Sequence, residues 1–102
     1  MARVFVTQES GSVDYLPACQ FGDLMFVTGS NQRISHLPQS IDTQLVLEQI
    51  NTVLADFNPD EDYLLCTGSP TIMAICGATL GEDLHKILSW DNRAHKYFEV
   101  II

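Results

Sequence analysis

Basic residues are scarce in this chain. Five Lys and Arg face thirteen Asp and Glu over 102 residues, a formal charge of −8. A surface of that sign repels phosphodiester backbones and anionic lipid, so neither nucleic acid nor a membrane is an expected partner. Cysteine is scarce as well. Cys19, Cys66 and Cys76 form an odd set with no close pair, which argues against a disulfide framework. Each stands among apolar neighbours and is expected as a buried free thiol. No apolar run approaches the ~20 residues that cross a bilayer. The opening "MARVFVTQES" holds too short an apolar stretch for a secretory signal, so the expected location is the cytoplasm.

Chemical motifs are missing too. The three histidines, His36, His85 and His95, show no H-x-x-x-H spacing, and the cysteines no C-x-x-C, so no metal ligands are assigned. His85 and His95 flank the last hairpin and are expected near each other only if its strands pair about the turn. G-x-G-x-x-G and G-x-x-x-x-G-K-[ST] are absent, which removes the usual dinucleotide and P-loop cradles. "CTGSPT" lacks the second glycine of G-x-S-x-G. No catalytic residue and no cofactor are assigned, and the chain is expected to be non-enzymatic.

What is present is globular composition: 46% hydrophobic and 18% charged residues. At this length it reads as one α/β domain spanning residues 1–102. "RVFVTQ" alternates as a strand. Ser10 to Gly22 is a loop whose Val13, Tyr15, Leu16 and Phe21 suit packing against the body. "DLMFVTGS" is a second strand, and "NQRISHLPQS" a polar loop with Pro38 near its end. Val46, Ile50, Val53 and Phe57, widened by Leu47 and Leu54, recur at helical spacing and predict a helix over 41–57. Ser40 or Asp42 is its N-cap and Asn58-Pro59 its stop. "DYLLCTG" has the continuous apolarity of a parallel strand covered on both faces. Ser69 then Pro70 opens a second helix over 70–80, apolar nearly all round and so heavily buried. Close helix–strand contact would explain Gly77 within it, and Gly81 is its left-handed cap. "HKILSW" and "HKYFEVII" are strands of an antiparallel hairpin turning at Asp91 to Ala94. The expected fold is a small mixed sheet of about five strands with a β-α-β-α-β unit and a C-terminal β-hairpin.

Two apolar runs end in the same tripeptide, Thr28-Gly29-Ser30 and Thr67-Gly68-Ser69. Parallel strands would bring both to the carboxyl edge of the sheet, where open α/β sheets bind ligands, the second copy at a helix N-terminus. These six residues are candidate ligand-binding positions. The ligand class is a nucleotide or another phosphate-bearing molecule, although Arg33 is the only cation near either copy. A second candidate surface is acidic: Asp56, Asp60, Glu61 and Asp62 cluster before the third strand. Such a patch steers encounter with a basic protein surface. The C-terminal hairpin is the one basic place, with Lys86, Arg93 and Lys96 interleaved with Trp90, Tyr97 and Phe98. An apolar last strand needs a cover, so a homodimer is expected through Tyr97 to Ile102, with Trp90 at its margin.

The segments "RVFVTQES", "DYLLCTGSP" and "WDNRAHKYFEV" resemble small uncharacterised proteins encoded by tailed bacteriophages. The resemblance covers most of the chain and carries no functional residues with it. It implies a setting, the bacterial host cytoplasm during infection. The functional expectation is a non-enzymatic accessory protein that binds, or binds and inhibits, a host macromolecule through its acidic surface. The alternative is the small-ligand module at the carboxyl edge.

Overall fold

The computed structural model describes residues 1–37 and 40–102. Pro38, placed by its sequence near the end of the polar loop, lies outside the described residues. Five strands form one sheet: β1 (Arg3–Val6), β2 (Asp23–Phe26), β3 (Tyr63–Leu65), β4 (Lys86–Asp91) and β5 (Lys96–Ile101). Helix α1 (Ile41–Leu54) connects β2 to β3, and α2 (Pro70–Leu80) connects β3 to β4. The order across the sheet is β2-β1-β3-β4-β5, with the first four strands parallel and β5 antiparallel to β4. The α/β fold, the mixed sheet and the closing hairpin are therefore as the sequence predicts. Strands β2, β3 and β4 are parallel as expected, but β1 stands between β2 and β3.

The central place of β1 follows from its side chains. Val4, Phe5 and Val6 have no exposed surface at all, which an edge strand could not offer. Alternation sends Phe5 to one face and Val4 and Val6 to the other. On Phe5's side, α1 and α2 pack a core of Val27, Val46, Ile50, Leu54, Leu64 and Ile72, among others. On the other side Val4, Val6, Leu65, Leu88 and Tyr97 meet Ala18 and the flanking Tyr15 and Phe21. That face carries only a 3-10 turn, Leu16–Gln20, in place of a helix. The β1–β2 loop thus packs down as its sequence implies, although Leu16 itself points outward.

Both helices are capped by the expected serines. Ser40 accepts from Thr43 N, and Ser69 from Ile72 N with Pro70 following, so of the two candidates for α1 it is Ser40, not Asp42, that caps. The first helix stops at Leu54 rather than 57. A turn follows, and Phe57 still reaches the core, its ring 5.3 Å from that of Phe5. Leu47 lies on the exposed side of α1. The second helix is less buried than its composition implies: Ile72, Cys76 and Leu80 form a single buried stripe. Gly81 ends it with φ 53° and ψ −126°, a positive-φ residue outside the left-handed helical region.

Cysteine placement also departs from expectation. Cys76 is buried, and burial together with the neighbouring Cys66 pushes its thiol up to about 12. Cys19 and Cys66 are exposed. No described helix is long and apolar enough to cross a membrane.

Gly77 has no strand close by. A Cβ built there meets nothing within 4 Å, so the expected tight helix–strand contact is absent and the glycine only lowers helix propensity. Gly77→Ala is expected to raise stability by about 0.5–1 kcal/mol in chemical denaturation, with an unchanged m-value.

Candidate functional site

At the carboxyl edge the strands β2, β1 and β3 end side by side. The chain continues from β1 into Thr7 and Gln8, which therefore sit between the two Thr-Gly-Ser segments. Gln8 occupies the space that the tripeptides frame. Its Oε1 accepts from Ser69 N at 2.7 Å. Its Nε2 donates to the carbonyls of Gly29, at 3.1 Å, and of Gln32. Gly68 has φ +86°, and a Cβ there would lie 2.5 Å from Cβ of Gln8. Glycine is required at 68 by the backbone angle and by this side chain together.

Other donors of the two tripeptides, Thr28 Oγ1, Gly29 N, Thr67 Oγ1 and Thr67 N, are engaged as well. Thr28 Oγ1 donates to Thr7 O at 2.8 Å. Gly29 N donates to Gln32 Oε1 at 2.7 Å. Thr67 Oγ1 donates to Gln8 O at 2.6 Å, and Tyr15 Oη lies 2.9 Å from it. Thr67 N donates to Thr7 Oγ1 at 3.0 Å, and that hydroxyl donates to Thr67 O at 2.7 Å. Gln49 of α1 extends the network, donating from Nε2 to Val27 O at 2.8 Å. Ser30 is exposed. The repeated tripeptide is thus a pair of strand terminations clasped by one buried glutamine. The two copies share an edge as the sequence implies, but they face Gln8 rather than one another.

The acidic residues gather at the amino edge. Asp62 has no exposed surface and so adds nothing to an outer patch. Its carboxylate accepts from Arg3 N at 2.9 Å and Asn58 N at 2.8 Å, and pairs with the Arg3 guanidinium at 2.9 Å. Asp56 binds the same guanidinium at 2.9 Å from an exposed position. That hydrogen bond is the main cause that holds the Asp56 carboxyl below its ordinary range. Glu61 lies 3.4 Å from the N-terminal amine. Asp60 is exposed, and its carbonyl receives Lys86 Nζ at 2.7 Å. The same parallel arrangement brings exposed Asp23, Glu82 and Asp83 to this edge.

In the hairpin, Lys96 pairs opposite Asp91 and the turn is Asn92–His95, with His95 at φ 51°. The turn falls one residue later than expected because Asp91 remains in the ladder. His95 packs against Trp90 at the tip, whereas His85 lies beside Ile102 at the far end. The two histidines are therefore a hairpin's length apart. No cluster of three potential metal-binding side chains occurs among the described residues. Tyr97 is buried in the loop-side core, and its burial, with Tyr15 and Asp14 nearby, raises its phenol above the ordinary value.

With this geometry in place, the comparisons decide kinship. The family described as "Phage Pam3 gp32-like protein" matches residues 2–102. The chain belongs to that family. The resemblance to small phage-encoded proteins is thereby borne out across nearly the full sequence. No curated protein and no solved structure is matched. In this Pam3 gp32-like chain, sequence reasoning located the tripeptides and the acid run but passed over Gln8, Gln32 and Arg3. A glutamine at a strand end carries no periodic or motif signal, and its role depends on which strands become neighbours.

Gln8→Ala is expected to cost about 2–3 kcal/mol, since it strands Ser69 N–H and the Gln32 carbonyl and leaves the Gly29 carbonyl with only Gln32 N. Gly68→Ala is expected to cost at least about 2 kcal/mol. The double variant should fall short of the sum by about 0.5–1 kcal/mol in a denaturation cycle, because losing the amide clears two of the three atoms that a methyl at position 68 meets.

Proposed function

We propose that this phage protein is a non-enzymatic accessory factor that binds, or binds and inhibits, a host protein in the host cytoplasm through its acidic amino edge. The observation that carries the reading is the one-sided charge of that edge. Asp23, Asp56, Asp60, Glu61, Glu82 and Asp83 are all exposed there. The nearby cations are each engaged, Arg3 with Asp56 and Asp62, the N-terminal amine with Glu61 and Lys86 with the Asp60 carbonyl. The exposed pairs in water are weak, so the carboxylates stay available to a basic partner. Steering of that kind acts chiefly on the association rate.

Capture from host lysate at low and moderate salt, with wild type and Asp60→Lys/Glu61→Lys/Glu82→Lys side by side, tests it. Wild type is expected to retain a reproducible partner at low salt, with association at least tenfold slower for the variant. Equal capture by both proteins would move the interface elsewhere, and no partner at either salt counts against the reading as a whole.

The alternative, a nucleotide or other phosphate-bearing ligand at Thr28 to Ser30 and Thr67 to Ser69, has less support. Three of the backbone donors it would draw on, Ser69 N, Gly29 N and Thr67 N, are engaged by Gln8, Gln32 and Thr7. Self-association is a separate proposal. Strand β5 is a sheet edge with Phe98, Ile101 and Ile102 exposed. Its only charges are Lys96 and Glu99, and edges this poorly guarded pair with other strands. Buried Tyr97 belongs to the core rather than to such an interface. Light scattering at micromolar concentration is expected to give a dimer mass that Phe98→Lys returns to monomer. A clean monomer for wild type removes the dimer.

A further inference from the structure

The loop-side face of the sheet is only partly covered. The 3-10 turn Leu16–Gln20 seals the part over Val4 and Val6. Beyond it, where β3 and β4 run out at their carboxyl ends, a hollow of about 540 Å³ remains. Its apolar lining includes Leu65, Leu88, Tyr97 and Trp90, and the loop at Val13 and Asp14 forms its opposite rim. The volume falls within the range of small-molecule sites. The location is the carboxyl side of a sheet ordered 2-1-3-4-5, where open α/β folds place ligands. It adjoins the Gln8 clasp through Thr67 and is separate from the acidic amino edge.

The lining selects a ligand class. Trp90 and Tyr97 meet edge to face, with ring centroids 4.9 Å apart. Trp90 is held in place by Nε1–H donation to Asn92 Oδ1 at 2.8 Å. Two fixed aromatic walls favour a planar aromatic guest, by stacking or edge contact. Among the described residues no Lys or Arg lines the hollow, and Asp14 is the one carboxylate that does. Asp14 is anchored, with Oδ1 accepting from Leu16 N at 3.0 Å and its carbonyl accepting from Tyr97 Oη at 3.3 Å. Its second carboxylate oxygen has no partner among the described hydrogen bonds. An anion would enter against this carboxylate and a net charge of −8. A neutral or cationic amino group would instead find an acceptor beside an aromatic wall.

We propose that the hollow between the Val13–Asp14 loop and the ends of β3 and β4 binds an uncharged or cationic amino-heteroaromatic molecule of nucleobase to nucleoside size. Asp14 accepts the amino group, and Trp90 and Tyr97 flank the ring.

Trp90 is the sole tryptophan, so its fluorescence reports on this site directly. The probes are adenosine, 2-aminobenzimidazole and adenosine 5′-monophosphate, followed in parallel by amide shifts in two-dimensional NMR. Saturable change at Trp90 is expected with the first two, with shifts confined to 65–67, 88–90 and 13–14. The monophosphate is expected to bind at least tenfold more weakly. Asp14→Asn keeps the acceptor for Leu16 N and should weaken 2-aminobenzimidazole five- to tenfold. Val13→Phe, placed on the loop and not in the sheet, should abolish binding while leaving the melting temperature within a few degrees of wild type. The proposal is overturned if neither probe moves these resonances at millimolar concentration, or if binding survives Val13→Phe. Amide shifts at 88–90 that follow protein concentration instead of probe would mean that a second copy fills the hollow, and would overturn it equally.

Discussion

The buried side-chain amide of Gln8 ties together three pieces of chain that are distant in sequence: the ends of β1, β2 and β3. It has one acceptor and one amino group, and both are used. The acceptor takes the first free N–H of the α2 entrance, and the amino group holds the turn after β2. A polar group at that depth is tolerated only when fully satisfied, and a satisfied one specifies a single arrangement. The glycine at 68 and the entrance of α2 both answer to this one residue.

Filling the cleft with the chain's own glutamine has a functional consequence. The carboxyl edge of β1 and β3 is where a doubly wound sheet switches direction, and it ordinarily leaves a crevice for a ligand. Here the crevice is closed from within, and open space is displaced sideways to β3 and β4. A loop with a single 3-10 turn stands where such folds carry a helix, so the sheet beneath Trp90 and Tyr97 is left uncovered. The β1–β2 connection brings Tyr15 down to Thr67 and meets the hairpin at Tyr97, whose hydroxyl donates to Asp14 O at 3.3 Å.

The opposite edge is built on Arg3 and Asp62. A buried carboxylate is tolerated because two backbone N–H groups and one guanidinium meet it. Arg3 is thereby held between Asp62 and Asp56, and exposed Asp23, Asp60, Glu82 and Asp83 have no guanidinium partner among the described residues. Polarity across the molecule follows: hydrogen-bonded and neutral at the carboxyl edge of β1 and β3, negative at the amino edge.

Local order was legible in the sequence. Ser40 and Ser69-Pro70 announce helix starts through backbone N–H groups that need an acceptor, and such chemistry depends on nearest neighbours alone. The alternation of Val4, Phe5 and Val6 declares a strand, the continuous apolarity of β3 one covered on both faces, and the acid run before β3 a polar turn. Strand order was not legible. Whether β1 lies beside β3 is settled by which apolar faces can be buried together, a property of the whole chain. For that reason the tripeptides at 28–30 and 67–69 could be seen as related, while Gln8 between them could not. The same holds for Asp62, one of three consecutive acids in sequence yet buried beneath Arg3 in the fold. It holds also for the hollow at Trp90, which exists only because a loop 75 residues earlier ends where it does. Sequence determined the elements and their caps through local hydrogen bonding and periodicity. Tertiary packing alone decided their neighbours, and with them every surface on which this protein can act.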